Sequence, residues 1–226
     1  MEEEELKKLA AQLRQPHGTK GSQIGEMMHV SNCNMTRQAI KSLNISADEQ
    51  VLELGHGNCA HLPYIMNHHK NVMYYGLEIS ELMYDEARQI NKNYIEKNQA
   101  HFFMYDGADI PFGDNYFDKG YTVNTLYFWS EPEKLLAGIY RVMKPGGLFS
   151  IAFAQQSFMK QLPFTKFGFT LYDTKKAEAL ISKTDFKIAK TETQVEWIKD
   201  KTGGMINREF TIITMIKSDS AETITI

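Results

Sequence analysis

The stretch Val51-Leu52-Glu53-Leu54-Gly55-His56-Gly57-Asn58-Cys59-Ala60 constrains this 226-residue chain more than any other. A strand-like run ends in an acid, then come two glycines one residue apart, then a helix-compatible segment. A chain needs this combination when it turns sharply at the carboxyl end of a strand. Gly55 and Gly57 can take positive φ, and lacking a Cβ they let a ligand lie against the backbone. A second strand-like run, residues 71–77, leads to another acid, Glu78.

An acid at the end of the next strand, roughly 20 residues on, is where open α/β sheets that hold a nucleoside place the acceptor for its ribose hydroxyls. The fingerprint for a dinucleotide wants three glycines, whereas here Cys59 or Ala60 stands at the third position. Glu53, two residues before Gly55, repels a pyrophosphate and suits a ligand that carries an amino group. On these residues the chain resembles the class I S-adenosylmethionine-dependent methyltransferases, whose first motif is an acid-x-Gly-x-Gly-x-Gly loop. A nicotinamide oxidoreductase is disfavoured by Glu53 and by the missing third glycine.

From Val51 onward strands and helices alternate, the pattern of a parallel doubly wound sheet. Ahead of it, Leu6, Leu9, Ala10 and Leu13 recur at helical spacing behind an acidic first turn, and Gln15-Pro16-His17-Gly18 is expected to end that helix. Residues 21–32 read as a glycine-punctuated connection, and residues 34–43 as a helix. Helix A is expected over 60–69. Ser80 is the N-cap of helix B, whose apolar stripe is Met83, Ala87, Ile90 and Tyr94. Strands are expected at 71–77, 101–104, 119–123 and 148–154. Ser130-Glu131-Pro132-Glu133 has capping-box spacing for helix D, and Lys144-Pro145-Gly146-Gly147 stops it. Residues 155–172 are irregular and aromatic, which is unusual after a core strand unless the insert binds or covers something. Helix E is expected over 174–182. Two late strands, 186–195 and 209–216, read as an antiparallel pair at the sheet edge, with residues 200–204 as their turn and 218–226 as a frayed tail.

Two further stretches extend the resemblance. Asp106-Gly107-Ala108-Asp109-Ile110-Pro111-Phe112-Gly113-Asp114-Asn115-Tyr116-Phe117-Asp118 is similar to the Asp-Ala-x-x-Leu-Pro-Phe-x-Asp-x-x-Phe-Asp pattern of the subgroup that includes ubiquinone and menaquinone C-methyltransferases. Arg141-Val142-Met143-Lys144-Pro145-Gly146-Gly147 resembles that subgroup's Arg-Val-Leu-Lys-Pro-Gly-Gly. Together the matches span roughly residues 48–154 in order. The implied fold is α/β, a Rossmann-like doubly wound seven-stranded sheet with a reversed last strand. Residues 1–45 are then expected to form an N-terminal helical lid, a plain structural cap being the alternative, and 46–226 the cofactor domain with a substrate-covering insert at 155–172.

By position, the resemblance implies that Glu53 and the Gly55, His56, Gly57 and Asn58 loop face the amino acid end of S-adenosyl-L-methionine. Glu78 then holds the ribose hydroxyls and Asp106 accepts from the adenine amino group. Ile79, Met83, Gly107 and Asn124 complete the expected cofactor set, and S-adenosyl-L-homocysteine is the expected product. Three acids at successive strand tips suit a cationic, phosphate-free nucleoside, because each carboxylate accepts charge-assisted bonds from amine or hydroxyl donors. Asp118, at the start of a strand, reads as structural. Candidates for chemistry are Tyr127 and His29, with Asn124 orienting and His56 a further base. Asn124-Thr125-Leu126-Tyr127 keeps the outer residues of the Asn-Pro-Pro-Tyr motif of amine methyltransferases but lacks both prolines, which disfavours nitrogen methylation. His61, His68, His69 and His101 lack metal-ligand spacing and read as surface residues, so no metal is expected.

The formal charge of −3 and the absence of a basic stretch argue against a nucleic-acid partner. Two cysteines, Cys33 and Cys59, form no pairing pattern. Met1-Glu2-Glu3-Glu4-Glu5 is unlike a signal peptide, and no apolar run approaches the roughly 20 residues of a membrane helix. The expectation is a cytoplasmic methyltransferase, monomer or homodimer, acting on a small molecule. The alternatives are an RNA or protein methyltransferase, or a non-catalytic S-adenosylmethionine-binding protein.

Overall fold

Seven strands form one sheet in the order β3-β2-β1-β4-β5-β7-β6. They are β1 Gln50–Leu54, β2 Met73–Glu78, β3 Ala100–Met104, β4 Phe117–Val123, β5 Met143–Ala154, β6 Phe186–Lys199 and β7 Met205–Lys217. The first five pair in parallel, and β7 runs antiparallel to both β5 and β6. The computed structural model describes residues 2–199 and 204–218. The fold is therefore the doubly wound sheet with a reversed strand that the sequence predicts. Strand order reverses between β1 and β4, and a crevice opens at the carboxyl ends of the strands at such a point.

Eight helices flank the sheet among the described residues: α1 Glu3–Arg14, α2 Gly18–Ser42, α3 Leu62–His68, α4 Glu81–Ile90, α5 Lys92–Glu96, α6 Pro132–Val142, α7 Gln156–Met159 and α8 Thr174–Ile181. The residues of β1 from Val51 to Leu54 are all buried, as expected of a parallel strand covered on both faces. Tyr74, Tyr121, Phe117, Phe149, Phe153 and Phe210 are the largest wholly buried side chains. No helix among the described residues is long and apolar enough to cross a membrane.

Several local expectations are corrected. The connection over 21–32 is helical, so α2 runs 25 residues. Its glycines serve close packing: a Cβ on Gly21 would lie 2.6 Å from a Leu82 methyl, and one on Gly25 2.6 Å from the Met83 sulfur. Tertiary contact with α4 thus overrides the low helix propensity of glycine. Helix A begins late, at Leu62, because Cys59 adopts a left-handed φ of 49° that a helix start cannot absorb. Helix B splits in two at Asn91, whose buried side chain donates to the carbonyls of Ala87 and Cys59. Ile90 is accordingly exposed and Tyr94 belongs to α5. Ser80 does cap α4 by accepting from Met83 N.

Ser130 is not the cap of α6; the helix starts at Pro132 behind Glu131, with no side-chain cap. Proline tolerates the first turn because its missing N–H has no helical partner there. Strand β2 spans Met73–Glu78 rather than 71–77, β4 starts earlier than expected at Phe117, and β5 already pairs at Met143. Residues 155–172 contain α7 and a 3-10 turn, Pro163–Lys166. The late strands are longer than predicted. The turn expected at 200–204 lies, apart from Gly204, outside the described residues, and so does the tail beyond Ser218.

The two stretches around Asp109 and Arg141 that extend the resemblance meet in space. Arg141 donates to the carbonyls of Ile110 and Phe112 and to Asp114, pinning the loop after β3 to α6. Asp118 accepts from Gln50 N and from Lys144 Nζ, a structural clasp between β1, β4 and β5.

Candidate functional site

At the tip of β1 the Glu53 side chain is almost wholly buried, which demands partners. Its Oε2 accepts from Tyr74 Oη at 2.5 Å, Tyr121 Oη at 2.8 Å and His61 Nε2 at 2.8 Å. Burial pushes this carboxyl up, but the nearby His61 and the bonds from His61 and Tyr74 outweigh it, and Glu53 is held below the ordinary carboxylate range. Burial drives both tyrosine hydroxyls far up, so they act as donors. All three bonds use one oxygen, and Glu53 lines a crevice of about 180 Å³ at the switch point.

His61 was expected at the surface; it is instead nearly enclosed and a partner of Glu53. The reason is the late start of α3, which leaves His61 in the turn above β1. Glu53, Cys59 and His61 each bring one ligand atom within 4.8 Å of the others. This corrects the expectation that His61 lacks ligand spacing; burial holds the Cys59 thiol well above its ordinary value, and it donates to Tyr74 at 3.2 Å, whose hydroxyl donates in turn to Glu53.

The same crevice gathers Gly55, Gly57, Asn58, Glu78, Ile79, Met83, Asp106, Gly107 and Asn124. Gly55 and Gly57 take φ of 71° and 57°, and a Cβ on Gly57 would meet nothing within 4 Å. Glu78 Oε2 accepts from Gly57 N at 2.9 Å, while Oε1 accepts from Ile79 N and Ser80 N. The carboxylate therefore fixes the glycine turn as well as facing the crevice. Asp106 is exposed; the N–H groups of Asp109 and Ala108 bond Oδ1 and hold its carboxyl below the ordinary range. His56 also lines the crevice, but its ring is buried. Its Nδ1 lies 2.7 Å from the Gly57 carbonyl, which makes Nδ1 the protonated nitrogen and leaves Nε2 without a partner among the described residues.

His29, on α2, lines the crevice and stacks on His61 at 6.3 Å. Burial and the neighbouring His61 hold it below the ordinary histidine range. Leu13, Arg14 and Pro16 line the crevice from the N-terminal side, and Gln15 Nε2 donates to Ile79 O. Trp129 also faces it, donating to Thr125 Oγ1.

Beyond the crevice lies a second cavity of about 390 Å³ with a largely apolar lining. Leu13, Met28, Asn32, Asn124 and Phe128 line both spaces and so form the partition. Asn124, in left-handed conformation at φ 57°, accepts on Oδ1 from Ala154 N and from Tyr127 Oη, and donates from Nδ2 to Asn32 Oδ1. Tyr127 lies at the second cavity, not the crevice; it is buried, hydrogen-bonded to the Ala154 carbonyl, and pushed far above the ordinary tyrosine value by burial. Asn32 also accepts from Arg208, which is paired with Glu196 and buried with it. Neither Asn32 nor Arg208 was predicted from sequence: 176 residues separate them, and no local signal joins them.

Residues 52–151 match the family model for a methyltransferase domain. Among curated proteins the chain is similar to the O-methyltransferase resE of Aspergillus sclerotiorum, with 29% identity over 127 residues. That alignment covers 56% of this chain and 48% of the relative, so the chain spans about half the relative's length. Among solved structures it is similar to a chain of the Haloferax volcanii complex between the Trm112 methyltransferase activator and a methyltransferase. The TM-score is 0.74 at 16% identity, over 88% of this chain and 94% of that one. It is also similar to the Haemonchus contortus phosphoethanolamine N-methyltransferase 2 in complex with S-adenosyl-L-methionine. There the TM-score is 0.68 at 16% identity, over 95% of this chain and 60% of that one. At such identities these two likenesses speak for the fold.

Proposed function

Since residues 52–151 belong to the methyltransferase-domain family of the class I, S-adenosylmethionine-dependent type, we propose that this chain transfers a methyl group from S-adenosyl-L-methionine to a small molecule. The observation that carries the reading is the convergence of Glu53, Glu78 and Asp106 on one crevice beside an open glycine turn. The donor set fits the cofactor: carboxylates for an ammonium, for ribose hydroxyls and for an exocyclic amine. When bound, S-adenosyl-L-methionine supplies an electrophilic methyl on a sulfonium, and S-adenosyl-L-homocysteine is what remains.

The chain's own residues then have three tasks. Glu53, preset by His61, Tyr74 and Tyr121, offers its second oxygen to the amino acid end, and Glu78 with Ile79 and Met83 holds the ribose. Asp106 and Gly107 border the adenine end. Helices α1 and α2 serve as a lid, with the 155–172 insert closing the second cavity over the acceptor and keeping water out. Asn124 orients at the partition with Tyr127 behind it, and His29 is the residue placed to take a proton. Alignment and water exclusion carry most of such a displacement.

Titration calorimetry with S-adenosyl-L-homocysteine tests the proposal. Binding by the wild type and a loss of about tenfold or more in Glu78→Ala are expected. No heat with the wild type, or an unchanged affinity in the variant, overturns it. Transfer of a labelled methyl group to a metabolite in a cell extract separates an enzyme from a binding protein.

A further inference from the structure

The partition between the two cavities has a polarity that the amide geometry fixes. Ala154 N–H can only donate, so the Asn124 atom facing it at 3.1 Å is Oδ1, and Nδ2 points to Asn32. Arg208 can only donate, so the Asn32 atom it meets at 3.1 Å is likewise the oxygen. That oxygen takes both bonds, leaving the Asn32 NH2 on the cavity wall with no protein partner among the described residues. Asn124 Nδ2 has a second hydrogen to spare. Among the described residues, no carboxylate and no histidine lines the second cavity. Glu196 is consumed by Arg208 and Asn34, and the Ser31 hydroxyl is turned to the Met28 carbonyl. Arg208 and Tyr127 also line it, their polar atoms bonded to Glu196, Asn32 and Ser31 and to Asn124 and Ala154; the rest of the wall is apolar and partly aromatic, with Phe128 and Phe169 at 4.6 Å and Phe164 beside them.

We propose that the second cavity binds an apolar, ring-bearing molecule whose polar end is a hydrogen-bond-accepting oxygen, held by the Asn32 and Asn124 amides where the two cavities meet. A donor-only polar end surrounded by apolar side chains satisfies a carboxylate, phenolate or carbonyl oxygen. It leaves an ammonium desolvated and unpaired, which is strongly unfavourable. The proposal deepens the methyltransferase reading, because it assigns this cavity to the methyl acceptor and makes that acceptor an oxygen compound rather than an amine.

The test uses 1-naphthoate and 1-naphthylmethylammonium as probes in calorimetry, each with and without S-adenosyl-L-homocysteine. Wild-type protein is expected to bind naphthoate about tenfold or more tighter than the amine, and Asn32→Asp, which puts an acceptor where the donor stood, to reverse that order. Equal or tighter binding of the amine by the wild type, a preference unchanged in Asn32→Asp, or binding of neither probe overturns the proposal. If circular dichroism shows that Asn32→Asp does not fold, Asn32→Leu replaces it; a naphthoate affinity unaffected by Asn32→Leu overturns the proposal, and a loss of about tenfold supports it. Failure of S-adenosyl-L-homocysteine to bind while naphthoate binds selectively strikes the cofactor reading and leaves the oxygen-binding cavity standing; the opposite pair of results does the reverse.

Discussion

His61 Nε2 lies 2.8 Å from Glu53 Oε2, with 9% and 3% of the two side chains exposed. The pair sits at the tip of β1 with two tyrosine hydroxyls on the same oxygen. A buried carboxylate with three donors on one oxygen is fixed in orientation, so its other oxygen is presented in one direction. Removing one partner of such a group leaves the rest desolvated.

Glu53→Gln therefore affects binding and stability differently. The amide keeps the shape but loses the charge and places an NH2 among donors. Affinity for S-adenosyl-L-methionine is expected to fall about tenfold to a hundredfold, with a fall in stability of about 1–3 kcal/mol. Calorimetric titration and a urea melt check the two effects; unchanged affinity would remove Glu53 from the cofactor site.

Glu78→Ala releases three backbone N–H groups, those of Gly57, Ile79 and Ser80. The glycine turn should loosen as well as the ribose lose its acceptor. Glu78→Gln, which keeps an acceptor oxygen, is expected to recover part of the S-adenosyl-L-homocysteine affinity. Equal affinities in the two variants would show that hydrogen-bond acceptance there is immaterial.

Tyr127→Phe discriminates a base from a support. A hydroxyl that donates to Asn124 and the Ala154 carbonyl, and whose burial keeps it protonated, holds the partition in place. The variant should lose about 1 kcal/mol of stability and reduce kcat only a fewfold. A fall in kcat of about a hundredfold or more with a native thermal melt would instead make Tyr127 the general base.

Acid should destabilise the fold in two windows. Burial holds His56 below the ordinary histidine value of about 6.5, so the unfolded chain binds the proton more readily. Its contribution is present at neutral pH and is lost as pH falls from about 6.5 through its folded value. Glu53, lowered in the fold, contributes above its unfolded value and loses that contribution only in stronger acid, as pH passes down through its folded value. Thermal melts from about pH 7.5 to 5 should show Tm falling, and His56→Gln should flatten that first window; a Tm independent of pH there refutes the assignment.

If α1, α2 and residues 155–172 form a cover, ligand should slow their amide hydrogen exchange more than that of β6. Leu6 and Leu13 of α1 line the second cavity together with Phe158 and Phe164 of the insert. Exchange measured with and without S-adenosyl-L-homocysteine checks this, and equal rates in both states would show that these segments do not close.

Local chemistry was enough to read the parallel alternation, the reversed edge pair, the glycine turn and the acids at Glu53, Glu78 and Asp106. Each follows from strand periodicity or from a turn that tolerates few residue types, and such signals are written within a few positions. The 25-residue span of α2 was not legible, because Gly21 and Gly25 are explained only by Leu82 and Met83 on another helix. His61 looked like a surface residue until the left-handed Cys59 set it over Glu53. Asn32 and Asn124 of the partition are tied to each other and to Arg208, and the three come from α2, the loop after β4 and β7, far apart in the chain. Sequence determined which groups reach the strand tips, since backbone periodicity decides that. Only tertiary packing decided which of them are buried together, and burial is what turns a polar side chain into a fixed donor or acceptor.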